Sequence, residues 1–198
     1  MPPQANFTKK RVLEQAFEIV RKEGAEALSA RKIAQQLECS TRPVYSAFRS
    51  MQELQGAVIQ KARVYAISYF LHPGHEGDSL FLQLGLRYLC FSQEEKALFD
   101  LLFIKGKMGN TFEKMGQPFE PLLSRMKLDP GLAELSEAGL KRLGVNMWIF
   151  THGLIVLMYT DPPEDPEEYV LHYLSQMGKT LIEWEKNQAR FHLPAATP

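Results

Sequence analysis

With 198 residues, the chain is long enough for one large domain or two small ones with a substantial core. At 45% apolar and 23% charged residues its composition is that of an ordinary globular protein, which excludes a disordered or fibrous class. Formal net charge is zero but unevenly placed: up to Val64 there are 11 Lys and Arg against 6 Asp and Glu, and the remainder holds 12 against 17, so a basic head on an acidic body favours a polyanionic partner for the head.

In chain order, residues 1 to 7 read as a disordered arm. Thr8 is placed to cap a first helix running to about Glu23, with Val12, Leu13, Ala16, Phe17 and Val20 as its apolar stripe and Gly24 as its stop. Ser29 to Phe48 then reads as two short helices joined by a tight turn. Ser29 caps the first, in which Ile33, Ala34 and Leu37 recur at helical spacing. Ser40 caps the second. Pro43 falls in its first turn, where a missing N–H has no partner to lose, and Val44, Ala47 and Phe48 form its apolar face. Two helices this short cannot stand alone, so those faces must pack inside a domain. Ser50 and Glu53 have the spacing of a capping box, which starts a longer helix through Leu54, Ala57, Val58, Ala62 and Tyr65 to about Leu71. His72-Pro-Gly-His75 breaks it.

From Asp78 onward the pattern stays helical and grows more aromatic. One helix spans roughly Ser79 to Phe91, and a second capping box, Ser92 with Glu95, starts another that ends near Ile104. Lys105 to Asn110 reads as a loop whose two glycines make it a candidate for mobility. A helix near Thr111 to Met126, a turn at Asp129-Pro-Gly131 and two last helices, about Leu135 to Tyr159 and Pro166 to Asn187, complete the pattern. Asp161 to Pro166 separates those two with three prolines, and the tail from Arg190 is expected to fray. No segment alternates with period two, so no sheet is predicted. The expected fold class is all-α with about nine helices. A three-helix helix-turn-helix head over 1–54 precedes a helical body over 55–198, and the boundary falls inside the helix that starts at Ser50.

Thr41, Arg42, Tyr45, Ser46 and Arg49 are left on the outside of the second short helix, and Ser29 stands at the start of the first. Such a face suits the major groove of DNA. Arg42 is the best candidate for a base edge, because a guanidinium bonds guanine through two donors. Thr41 can reach a thymine methyl or a phosphate. Tyr45 and Ser29 suit phosphates, Pro43 sets the start of the helix, and Lys9 and Lys10 add charge from the arm. The plainer alternative is a solvated helix surface on an unrelated all-helical protein.

Ser29-x-Arg31-x-Ile33-Ala34, followed by Ser40-x-x-x-Val44-Tyr45-x-x-Phe48 and Leu54 and preceded by Phe17 and Gly24, makes Phe7 to Leu54 resemble a TetR-family transcriptional regulator. Trp148-x-x-x-His152-Gly153-Leu154 resembles a motif of one subgroup's ligand-binding domains. The resemblance implies an all-helical fold, dimerisation through the last two helices, and a small molecule in the body that releases DNA. Two positions depart from the family pattern. Its usual turn glycine is Glu38 here, and its usual lysine at the start of the fourth helix, a phosphate contact, is Met51, for which Arg49 is the candidate substitute.

The body is rich in aromatics, most of which belong to a core. Tyr88, Phe91, Phe99, Phe103, Phe119, Trp148 and His152 are the candidate pocket residues for a small apolar or aromatic effector. Tyr88, Trp148 and His152 each offer a polar tip on an apolar body, and Trp148 and His152 share a helix face. Apolar runs from Leu140 to Met158 and from Tyr169 to Trp184 offer more hydrophobic face than one small body hides, which points to a homodimer. His72 and His75 read as a surface turn with no third metal ligand nearby, so no metal and no cofactor are expected. No phosphate loop or nucleophile stands in a recognisable setting, so an enzyme is not expected. Cys39 beside Arg42 leaves redox sensing as a minor idea. Two cysteines imply no disulfide framework, no signal peptide is expected, and no run reaches the roughly 18 apolar residues of a spanning helix. The expectation is therefore a cytoplasmic, ligand-responsive transcriptional regulator, a repressor that binds a palindromic operator in double-stranded DNA as a dimer. Its rival is a helical small-molecule-binding protein or enzyme whose head has lost DNA binding.

Overall fold

Thr8 takes an extended conformation and its hydroxyl accepts a hydrogen bond from the Arg11 N–H at 3.2 Å, which starts helix α1, Lys9–Glu23. The computed structural model describes residues 7–72, 79–106 and 116–191, with side chains placed for 7–72, 79–106 and 120–187. Gly24 ends α1 at a φ of 88°, a conformation that L side chains rarely adopt. After a 3-10 turn at Ala25–Ala27 come α2 (Ala30–Gln36), α3 (Arg42–Ala47) and the long α4 (Met51–Leu71). They are followed by α5 (Leu80–Glu94), α6 (Lys96–Phe99) with a π-helical turn at Asp100–Ile104, α7 (Gly116–Met126), α8 (Glu137–Met158) and α9 (Pro166–Phe191). Among the described residues there are nine α-helices and no strand. The all-α expectation holds.

These helices pack as two compact units. One takes the described residues of Met1–Ala66 and Glu95–Met115, and the other those of Ile67–Glu94 and Gly116–Pro198. In the first, α1 lies against α2, α3 and α6. Val12, Ala16, Phe17, Ile19 and Val20 from α1 meet Ile33, Ala34, Val44, Phe48 and Leu54 in a core from which water is excluded. In the second, α5, α8 and α9 pack on one another, with α7 against α5 and α8. Its core includes Phe70, Leu89, Phe91, Leu143, Ile155, Val170 and Leu174. A Cβ placed on Gly85 would stand 2.5 Å from a terminal methyl of Leu174, so a side chain at that position of α5 would require Leu174 of α9 to shift. Arg142 of α8 grips the buried Glu185 of α9 with two hydrogen bonds, at 3.0 and 2.7 Å. The turn expected at Asp129 is a 3-10 turn, and its carboxylate accepts from the backbone N–H groups of Gly131 and Phe81.

Three expected caps are corrected. Ser40 does not cap α3. Thr41 occupies that place at φ −71° and ψ −14°, already helical, and a cap side chain needs an extended backbone to reach back to the first turn. Ser50 does accept from the Glu53 N–H, at 3.1 Å, but the Glu53 carboxylate returns to the Arg49 N–H, at 2.8 Å, instead of to Ser50. The second capping box fails altogether. Ser92 is buried inside α5 and donates to the Leu89 carbonyl at 2.7 Å, while Glu95 is taken by an arginine and a tyrosine, stronger partners than a backbone amide. The expected N-terminal arm before Phe7, the loop from residue 107, the start of the helix near Thr111, His75 and the tail from residue 192 lie outside the described residues.

Candidate nucleic-acid interface

Ser29, extended at φ −147°, accepts from the Lys32 N–H at 3.2 Å and so starts α2 as expected. The helix stops in a Schellman turn. The Cys39 N–H bonds the Ala34 carbonyl at 2.9 Å and the Glu38 N–H bonds the Gln35 carbonyl at 3.2 Å, which places Glu38 at the position that usually holds glycine. Glu38 accordingly has φ 53°, the one described non-glycine residue with a positive φ. Pro43 lies in the first turn of α3, and the Thr41 hydroxyl makes no capping bond.

Burial divides α3 into two faces. Val44 and Phe48 point inward at 1% and 2% exposure, whereas Tyr45 is 55% exposed. Thr41, Arg42, Ser46 and Arg49 are exposed with it, Ser29 is exposed at the head of α2, and Pro43 is half-buried. Thr, Arg, Tyr and Ser on one exposed helix face provide donors and acceptors for base edges and phosphates. Lys9 is not an arm residue. It sits in the first turn of α1, 2.8 Å from Glu53 Oε1 and 4.6 Å from the centre of the Phe48 ring. The Glu53 carboxyl is held below its ordinary range by the hydrogen bond from Lys9 and then by that from the Arg49 N–H. Met51, in the first turn of α4, is half-buried.

The candidate effector residues fall into two groups. Tyr88, Phe91, Trp148 and His152 belong to the second unit, where the Tyr88 hydroxyl lies 2.9 Å from His152 Nδ1. Trp148 stacks on His152 with ring centres 5.4 Å apart, and Phe70 meets both Tyr88 and Phe91 edge-on. Burial pushes the Tyr88 phenol far up and the His152 imidazole down. Phe99 and Phe103 belong instead to the first unit, with ring centres 5.3 Å apart. Phe119 lies in α7, and its side chain is outside the described residues. His72 is exposed, and no cluster of metal-ligating side chains occurs among the described residues.

Compared by sequence, the chain matches no family model and no curated protein. Compared by structure, it is similar to a TetR-family transcriptional regulator from Streptomyces coelicolor, at 17% identity and a TM-score of 0.64, over 92% of this chain and 85% of that one. The fold is the one found in that family. A transcriptional regulator from Rhodococcus sp. Rha1 aligns over 90% of this chain and 97% of its own, at 15% identity and a TM-score of 0.61. The TetR-family repressor AlkX from Dietzia sp. strain DQ12-45-1b, implicated in biodegradation of n-alkanes, aligns over 88% and 95%, at 17% identity and a TM-score of 0.53. No described helix is long and apolar enough to cross a membrane.

Sequence reasoning missed two groups. The left-handed residue of the turn was visible only as a departure from a family pattern. Glu95, with its partners Arg21 and Tyr65, was hidden because Ser92-x-x-Glu95 satisfies a local spacing rule.

Proposed function

We propose that the chain is a DNA-binding transcriptional regulator, a repressor released by a small apolar or aromatic effector. The observation that carries the reading is the division of α3. Its apolar side is sealed into the head by Val44 and Phe48, while Thr41, Arg42, Tyr45 and Ser46 face solvent on a helix too short to be stable for its own sake. Residues 1–54 form the DNA-binding head and 55–198 the effector-binding and dimerisation body. Arg42 reads a base edge; Thr41, Tyr45, Ser46, Ser29 and Arg49 position the head on phosphates; Lys9 holds Glu53 and Phe48 and so supports the face.

A single head covers little duplex, so two are needed on a twofold axis. Support for a dimer comes from α8 and α9, which expose Ile149, Val156 and Leu157 on one and Tyr169, Tyr173 and Trp184 on the other, spaced as stripes along each helix. The Tyr88, Trp148 and His152 cluster supports an effector site, with polar tips set in aromatic surroundings. An apolar effector accords with the alkane association of the Dietzia protein, and the reading implies a cytoplasmic protein.

Selection of bound duplexes from random sequence, followed by anisotropy titration over a range of salt, tests the proposal. Affinity should fall steeply with salt. Arg42→Ala should weaken binding to the selected site by about 1–3 kcal/mol and relax the preference at one base pair. Equal loss on every sequence would make Arg42 a phosphate contact. The rival reading, a ligand-binding protein or enzyme with an idle head, draws on Glu38 and Met51, and absence of any retained duplex at low salt would favour it.

A further inference from the structure

Arg125 stands one residue before the end of α7 and reaches α5 within the second unit. Its Nη2 donates to Gln83 Oε1 at 3.0 Å, and its Nη1 donates to the carbonyl of Leu71, the last residue of α4, at 3.3 Å. Both acceptors are neutral. Its Nε–H is shielded from solvent and has no hydrogen-bond partner. Gln83, 8% exposed and one turn into α5, fixes where the guanidinium lies. Among the described residues Arg125 makes no ion pair.

A guanidinium cannot shed its charge, and a charge drawn out of water is costly until an opposite charge meets it. Elsewhere the chain supplies that charge: Arg21 takes the buried Glu95, and Arg142 takes the buried Glu185. The buried acid four residues after Arg125 is already engaged. Asp129, 4% exposed, accepts from the Gly131 N–H at 2.9 Å and the Phe81 N–H at 3.0 Å. Ser79 accepts from the Leu82 N–H at 3.1 Å, so the opening of α5 is capped and the unmet donor of this corner is the arginine's own. Pro121 has no N–H to give the carbonyl at position 117, so the α7 ladder lacks one bond a turn before Arg125 and resists an incoming group less. Leu123 and Met126 on α7 and Leu86 on α5 are buried and apolar.

We propose that Arg125 anchors the carboxylate of an organic acid with an apolar body, which enters between α5 and α7 and takes the Nε–H together with one Nη–H as a fork. The site names the chemistry of a ligand; only its consequence for DNA rests on the effector reading proposed for the chain. Calorimetric titration of the full chain with octanoate and phenylacetate, against octanol and phenylethanol as matched neutral probes, tests it. Each carboxylate should bind about tenfold or more tighter than its alcohol. Arg125→Gln should abolish that preference and leave the alcohols' affinities unchanged. Arg125→Lys should keep part of it, because lysine retains the charge without the fork, and this variant decides the matter if the glutamine variant does not fold. Melting of the unliganded protein is the second readout: removing an unpaired charge should leave the Tm of Arg125→Gln unchanged or higher. A wild type that shows no preference, carboxylates that do not bind, or a preference that survives in both variants would overturn the proposal. So would a lowered Tm with an unchanged carboxylate-to-alcohol ratio, which would make the arginine a structural cap for α4. A carboxylate bound in the expected pattern that leaves a selected duplex in place would sustain the anchor and remove the effector reading.

Discussion

Glu38→Gly is expected to stabilise the protein, and the size of the gain follows from one dihedral. At φ 53°, the Glu38 Cβ crowds the following carbonyl, which costs a non-glycine residue about 1–2 kcal/mol. Glycine escapes that cost but gives the unfolded chain extra freedom worth about 0.5–1 kcal/mol. The net gain is about 0.5–1 kcal/mol, or a rise of about 1–4 °C in Tm for a chain of this size. Both Schellman hydrogen bonds come from backbone N–H groups and survive the change. Glu38→Ala is the necessary companion, because it removes the carboxylate and keeps the Cβ. Calorimetry and urea melts of the three proteins, at equal concentration, give the comparison. A gain in the glycine variant alone confirms the conformational argument. An equal gain in the alanine variant would trace the effect to charge, and a loss in the glycine variant would refute the reasoning. The same pair separates binding from stability: on the proposed function Glu38 brings a carboxylate near the duplex, so both variants should bind DNA more tightly and by similar factors.

Glu95 sits below its ordinary value of 4.5: burial alone would raise it, but the Arg21 and Tyr65 hydrogen bonds and the arginine charge together outweigh that. Its stabilisation is therefore present above the unfolded-state value and lost as pH falls through the folded-state value, and urea melts between about pH 3 and 6 should show a slope that Glu95→Gln reduces. His152, lowered by burial from 6.5, likewise contributes stability that is lost as pH falls below its unfolded value, and a slope beginning near that pH should disappear in His152→Gln. Leu157, 68% exposed on α8, and Trp184, 45% exposed on α9, should each weaken self-association by about a hundredfold or more when changed to Glu, as read by sedimentation at micromolar concentration. A wild-type monomer in that experiment would remove the dimer.

The head was legible in the sequence because its information is local. Thr8 and Ser29 cap within three residues, Gly24 stops a helix by its own conformational freedom, and the stripes of α1, α2 and α3 recur at a period the chain carries in itself. What was not legible depends on residues distant in sequence. Ser92 and Glu95 have the spacing of a cap, yet Arg21 and Tyr65 claim the glutamate from 74 and 30 positions away, and a local rule has no access to either. Lys9, read as arm charge, is drawn instead to Glu53 and Phe48, 44 positions from the first of them. The seven aromatic and histidine candidates illustrate the same limit from the other side. Composition marks all of them as apolar bodies, but only packing separates Phe99 and Phe103 in one unit from Tyr88, Phe91, Trp148 and His152 in the other. Glu38 is the instructive case, because there the local signal and the fold disagree. Its side chain argues against a left-handed turn, while the helices on either side, buried through Ile33, Ala34, Val44 and Phe48, require one. Core burial of several apolar side chains, each contributing about 1.5–3 kcal/mol, outweighs a backbone cost of about 1–2 kcal/mol at a single residue, so the turn keeps its geometry and the glutamate accommodates it.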